Sequence, residues 1–273
     1  MTRCDRDCSR YDVAEESLKT FTRSKVRSKV LLCLKKGSMS TGELENEMRI
    51  RNTTILHAIK EMISSDLIAK SEKGYKLTNL GRMEACRIDD SIDFVLIMER
   101  YSDFWLTHDL SAIPETLLVR IGMLSESEIL EGDPSAILKT QEFFISELKN
   151  STMIQGLSPI IIPGYAEAIA SAVINGAEVD LILTEQIINI VIKDYHDVLQ
   201  QLLRVENFRL YSIEAEVAAA FTITNSLLSL GLFRIDGGYD VGRDLNCVGK
   251  NAIAWGKELF SHYLSKSNRI DSI

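Results

Sequence analysis

Residues 51–62 read RNTTILHAIKEM, a polar opening followed by Ile55 and Ile59 four apart, with His57 and Lys60 between and beside them. At about 100° per residue, Ile55, Ile59, Met62 and Ile63 share one side of a helix, with Ala58 at its edge. Thr53, His57, Lys60, Glu61 and Ser64 share the other side. Arg49-Ile50-Arg51 makes the turn into this helix, and Asn52 has the side chain of an N-cap. Such a polar face either reads a partner or is the wet side of an ordinary helix, and its sequence neighbours distinguish the two.

Upstream, Val26, Val30, Cys33 and Leu34 recur at helical spacing, which predicts a first helix from Ser17 to a stop at Gly37. Ser40-Thr41-Gly42-Glu43 has the form of a capping box and opens a short second helix that ends near Met48. Downstream, LIAKS at 67–71 and YKLT at 75–78 read as two short strands around Glu72-Lys73-Gly74, with glycine where the turn needs it. Asn79-Leu80-Gly81 is expected to end this hairpin. Three helices followed by a hairpin make a winged helix-turn-helix, assigned to residues 1–81.

A helix fits the major groove of B-DNA, where side chains near its N-terminus reach base edges and the preceding turn engages phosphate. Thr53, Thr54, His57 and Lys60 occupy the reading positions, with Asn52 at the helix start. Arg49, Arg51, Lys73 and Lys76 suit phosphate contact from the turn and the wing. Protein docking is the alternative use of the same module. The basic set should gather on one face for DNA and scatter for docking.

Charge divides the chain in the same place. Residues 1–82 hold 17 Lys/Arg against 11 Asp/Glu, and residues 83–273 hold 14 against 28, giving the net −8. Only the first part is suited to a polyanion. The N-terminus MTRCDRDCSR is charged where a signal peptide would be apolar, and no apolar run is long enough to span a bilayer, so a cytoplasmic protein without membrane contact is expected. Five cysteines, at 4, 8, 33, 86 and 247, form an odd set that points to reduced thiols. Cys4 and Cys8 lack the second ligand pair that a metal site needs, so neither metal nor cofactor is expected.

Residues 82–150 read as a helical connector. A long helix is expected from Arg82 through ERYSDFW to Leu106, and its apolar positions Ile88, Ile92, Val95, Leu96 and Met98 suit a homodimer seam. Pro114 and Asp133-Pro134 mark two further helix starts, the second leading to Leu148. Beyond 150, MIQGL at 153–157, VDLIL at 179–183 and FRLY at 208–211 look like strands separated by helices at 165–175 and 186–204. That order predicts a partly parallel sheet over 151–273, so the chain as a whole is mixed α/β. Residues 219–224 and 228–233 flank Asn225-Ser226, Asp236-Gly237-Gly238 turns the chain again, and 249–265 closes it as a helix.

Catalytic spacings are missing from this half. There is no G-x-S-x-G, no G-x-x-x-x-G-K-[ST], no dinucleotide glycine fingerprint and no H-E-x-x-H, and the four histidines at 57, 108, 196 and 262 are scattered. A nucleic-acid-associated enzyme is the rival reading and would need a compact cluster of polar groups assembled in a cleft, but an enzyme is not expected. A small-molecule effector is better supported, with Tyr101, Trp105, His108, Ser158, Tyr165, Thr222, Asn225 and Arg234 as candidates near strand ends, turns or a local aromatic cluster. Core packing is the alternative for Tyr101 and Trp105, and pairing with an acid is the alternative for Arg234.

The winged module, ERYSDFWLTHDLSAIP at 99–114 and the tail GLFRIDGGYDVGRDLNCVGKNAIAWGKELFSHYL at 231–264 together resemble the archaeal winged-helix transcription regulators of methanogens. In these, an N-terminal DNA-binding domain precedes a middle domain named after a methanogenesis and filament-formation regulator. The distinctive residues are Phe233, Asp236-Gly237, Tyr239-Asp240, Ala252, Trp255-Gly256 and Phe260. The resemblance implies transcription regulation and a C-terminal effector or dimerisation domain, with an α/β layout similar to phospholipase-D-like sensor domains. That superfamily's catalytic H-x-K does not follow from any histidine here, so its activity does not carry over.

Overall fold

The computed structural model describes residues 9–15, 18–19, 23–131, 142 and 144–273. Cys4 and Cys8, the helix start at Ser17 and the start at Asp133-Pro134 lie outside them. The chain forms two compact units, Met1–Ile92 and Asp93–Ile273.

In the first unit, α1 (Lys25–Lys35), α2 (Thr41–Met48) and α3 (Asn52–Ser64) precede the hairpin of β1 (Ile68–Ser71) and β2 (Gly74–Leu77). The capping box forms as its sequence suggests: Glu43 N donates to Ser40 Oγ at 3.3 Å, and Ser40 N donates to Glu43 Oε2 at 2.7 Å. Ile55, Ile59 and Met62 of α3 are buried with Val30, Leu31 and Leu34 of α1 and Leu44 and Met48 of α2. Burial of each such side chain contributes about 1.5–3 kcal/mol, which fixes α3 with its other face outward.

Asn52 is not the N-cap. Arg51 holds that position without a side-chain cap bond, while Glu45 Oε1 of α2 accepts from Asn52 N at 3.2 Å. A carboxylate from the neighbouring helix thus satisfies an amide that a local cap would have served. In the wing, Ser71 faces Gly74, and Met39 bridges Tyr75. Gly74 has φ +123°, and a Cβ there would overlap Met39 O, so backbone crowding against this bridge demands glycine as much as the turn does.

Asn79-Leu80-Gly81 begins a helix instead of closing the wing. Thr78 Oγ1 accepts from Gly81 N at 3.1 Å and starts α4 (Asn79–Arg100). That helix stops before Leu106, because Tyr101 leaves helical geometry (φ −121°, ψ 32°) and a separate α5 follows at Ser102–Thr107. Trp105 Nε1 donates back to Ile97 O at 3.0 Å, so the break buries Phe104 and Trp105 in the second unit's core.

The second unit continues through α6 (Glu115–Leu118), N-capped at Pro114, a 3-10 turn at Ile121–Leu124, and β3 (Ser127–Glu131). Then come β4 (Met153–Ser158), α7 (Tyr165–Ile174), β5 (Glu178–Thr184), α8 (Glu185–Asp194), α9 (His196–Leu202) and β6 (Phe208–Ile213). The helical stretch expected at 186–204 is two helices, divided at Tyr195 (φ −131°, ψ 27°). β7 (Ala219–Thr224), β8 (Leu227–Phe233), β9 (Tyr239–Val248), α10 (Lys250–Leu264) and β10 (Asn268–Ile270) complete it.

Among the described residues, the eight strands of this unit form one sheet in the order β10-β6-β5-β4-β7-β8-β9-β3. The β4, β5 and β6 pairings are parallel, and the remaining pairings are antiparallel. Strand alternation splits its side chains between two cores. Val179 and Leu181 belong to the core with Ala168, Ala172 and Leu199 of α7 and α9, whereas Ile182 belongs to the core with Trp255, Leu259 and Phe260 of α10.

Candidate nucleic-acid interface and ligand cavity

On α3, Thr53, Thr54, His57 and Lys60 are exposed and Asn52 is half-buried. His57 Nδ1 lies 3.5 Å from Glu61 Oε1, a pairing that requires a protonated imidazole. Arg49 is the C-cap of α2, in the left-handed region at φ 54°, and Arg51 is the N-cap of α3. Both point to solvent, as do Lys73 in the wing turn and Lys76 on β2. Lys73 is near enough to Glu43 to help lower its carboxyl pKa, behind the larger effect of the hydrogen bonds from Ser40. Some other cations of the chain are paired: Lys35 with Asp89, Arg120 with Glu258 and Arg209 with Asp180. Among the described residues, Arg49, Arg51, Lys60, Lys73 and Lys76 enter no such ion pair.

Of the effector candidates, Ser158, Tyr165 and Thr222 come together beside the C-terminal end of β4. Tyr165 Oη and Thr222 Oγ1 lie 3.2 Å apart, and all three residues line a cavity of about 60 Å³ with Tyr239, Ser229 and Asp244. Tyr101, Trp105 and His108 form a separate cluster: Tyr101 Oη donates to Ser127 O, and His108 packs on Phe104 with Nε2 3.3 Å from Asp240 Oδ2. Asn225 Oδ1 accepts from Thr152 N at 3.1 Å, and Arg234 is exposed beside Asp236 at 3.2 Å.

Tyr239, Ser229 and Asp244 were not among the sequence candidates. Their signal lies in strand pairing: Gly231 faces Asp244 across β8 and β9, and a Cβ on Gly231 would overlap Tyr239 Oη and Asp244 Oδ1. Glycine there makes room for the pair, in which Tyr239 Oη donates to Asp244 Oδ1 at 3.0 Å.

Burial pushes the Asp244 carboxyl up to about 6, against the lowering effect of the Tyr239 hydrogen bond and with added repulsion from Asp240. Burial also raises the Tyr165 and Tyr239 hydroxyls, which stay protonated. A carboxyl raised in the folded state holds a proton that the unfolded chain releases. Its contribution is therefore fully present below about pH 4 and is lost as pH rises to about 6. Relative to Asp244→Asn, the native protein should lose up to about 3 kcal/mol across that window in urea unfolding. Parallel stability curves for the two proteins would remove this carboxyl as the cause.

Residues 15–96 match the N-terminal domain of the methanogenesis regulatory protein FilR1, and residues 137–266 match the FilR1 middle domain. The chain belongs to the FilR1 family. The FilR1 N-terminal match takes in α1 to α3, the wing and most of α4; the FilR1 middle-domain match takes in β4 to α10 and with them every residue of the cavity. The methanogenesis regulatory protein FilR1 of Methanothrix harundinacea (strain 6Ac) is 38% identical over 259 residues, which is 93% of this chain and 58% of that protein. The chain thus spans somewhat over half the length of this relative. Among solved structures, TrmBL2, an archaeal chromatin protein, is similar at TM-score 0.43 and 12% identity, over 90% of this chain and 94% of the other. A phospholipase D family member, Nuc from Salmonella typhimurium, is similar at TM-score 0.39 and 11% identity, over 54% of this chain and all of the other. No helix among the described residues is long and apolar enough to cross a membrane.

Proposed function

We propose that this chain is a transcription regulator that binds double-stranded promoter DNA through α3 and the wing. It acts as a homodimer, and a small molecule bound in the C-terminal domain sets its affinity. The observation that carries the DNA reading is the set of five exposed cations without ion pairs on α3, the turn before it and the wing. A cation with no carboxylate partner neutralises phosphate, and so releases the counterions condensed on DNA, without first breaking an ion pair. FilR1 kinship supports a regulatory role. Dimerisation is supported by the apolar residues that α4 leaves at the surface, and ligand control by the cavity that Ser158, Tyr165, Thr222 and Asp244 line. A ligand there alters DNA affinity only by favouring one arrangement of the dimer over another.

The test is selection of bound fragments from genomic DNA by the purified full chain at two salt concentrations. A motif with two-fold symmetry and a steep salt dependence is expected. A folded protein that enriches no DNA would point to protein docking instead. Within the interface, Lys73→Ala should weaken binding to all sequences alike and reduce the salt slope by about one unit. Thr53→Ala or His57→Ala should instead shift sequence preference. Fluorescence anisotropy on matched and mismatched sites separates these effects, and unchanged binding in all three variants would sink the recognition surface.

A further inference from the structure

Beside the cavity at Asp244 lies an apolar one of about 100 Å³, lined by Ile187 and Val191 of α8, Val198 and Leu199 of α9, and Ala166 and Ile169 of α7. The two share Ser158, Ile162, Tyr165, Leu181 and Leu183 in their walls, so they adjoin as an apolar lobe and a second lobe, also mostly apolar in surface, that carries the Asp244 carboxyl and the hydroxyls. Among the described residues, no lysine or arginine lines either lobe. Asp180, elsewhere on the sheet, has Arg209 as its countercharge. Asp244 has the Tyr239 hydroxyl at 3.0 Å, and the charge that acts on it is that of another acid, Asp240.

This arrangement selects among ligands. A carboxylate or phosphate would enter a mostly apolar space that already holds an acid and, among the described residues, offers no cation, and desolvation would add to the repulsion. A purely apolar molecule would fill the larger lobe but leave Asp244 in the smaller one without a charged or hydrogen-bonding partner from the ligand. An ammonium group supplies the missing charge together with three donors, enough for Asp244 and for hydroxyl oxygens such as those of Tyr165 and Thr222. The lobes set the size of the remainder: at about 100 and about 60 Å³ they are together comparable to the cavity of about 150 Å³ that accepts a benzene ring.

We propose that the two lobes bind a small primary amine with a compact branched or ring-shaped hydrocarbon body. The ammonium sits against Asp244 and the hydrocarbon among α7, α8, α9 and the sheet. This inference rests on the reading of the C-terminal domain as ligand-responsive, and it adds the ligand's chemistry.

Calorimetric titration of the full chain at about pH 7.5, where Asp244 is ionised, tests it with benzylamine, benzyl alcohol and benzoate. Benzylamine should bind saturably and at least about tenfold more tightly than benzyl alcohol, with no benzoate binding. Asp244→Asn should abolish that preference while leaving benzyl alcohol unaffected. Val198→Phe, at a position 40% exposed and so tolerant of a larger ring, should narrow the apolar lobe and weaken amine and alcohol together. Equal affinity for the three probes, or unchanged amine affinity in Asp244→Asn, would overturn the site. DNA affinity is read separately. Amine binding that leaves it unchanged supports the ligand class and removes ligand control. DNA affinity that responds to other small molecules without amine binding overturns the ligand class and keeps ligand control.

Discussion

Trp255→Ala should lower the unfolding free energy by about 3–5 kcal/mol. The indole is fully buried between α10 and the sheet, in the same cluster as Phe221, Leu228 and Leu230, and its Nε1 donates to Leu117 O at 3.0 Å. Truncation removes the largest enclosed side chain and leaves a void that β7 and β8 cannot close, because both strands are paired on both edges. The Leu117 carbonyl keeps its bond from Arg120 N at 2.9 Å, so the loss is of packing and of one hydrogen bond. Trp255→Phe separates the contributions: it keeps a ring but loses the donor and should cost about 1–3 kcal/mol. Urea denaturation followed by far-ultraviolet circular dichroism reads both. A loss below about 1 kcal/mol for the alanine variant would mean that α10 is not the element that holds this face of the sheet.

Local chemistry is what made the first unit legible. The Ser40 and Glu43 pair acts within four residues, the Ile55, Ile59 and Met62 spacing within two turns, and the wing strands within one hairpin. Asn52 misleads because the partner for its amide, Glu45, belongs to another helix, and pattern alone cannot place two helices together. The long connector fails for a similar reason. Sequence periodicity runs on through Tyr101, but burial of Phe104 and Trp105 rewards a break that only the second core makes worthwhile.

In the second unit, strands β4 to β6 announce themselves as apolar runs because helices cover both faces. β3, β9 and β10 do not, since GRDLNCV and NRI carry their polar residues at alternating or edge positions and their partners are distant in sequence. The cavity inherits that difficulty. Ser158, Tyr165 and Thr222 could be picked out near strand ends, whereas Asp244 enters only through its register with Gly231.

Val95→Glu with Met98→Glu should convert the protein to a monomer and weaken binding to a two-half-site DNA by about 10²–10⁴-fold, while a single half-site is bound as before. On α4, Phe94, Val95 and Met98 fall within about 100° of one another around the helix axis. They are 42%, 48% and 40% exposed, while Ile97, on another side of the same turn, is fully buried in the core. A helix that satisfies its own core through Ile97 has no internal use for a second apolar stripe, and a second copy related by two-fold symmetry would cover it with the same residues. Glutamate is a good helix former, so α4 should survive the substitutions and the effect should fall on association. Sedimentation at micromolar protein, with circular dichroism to confirm retained helix, is the deciding measurement. If the double variant still sediments as a dimer, the seam lies on another surface of the chain. If the unsubstituted protein is itself monomeric and binds palindromic and single sites alike, each chain must read DNA alone, and the avidity that a two-fold site confers has no part in its affinity.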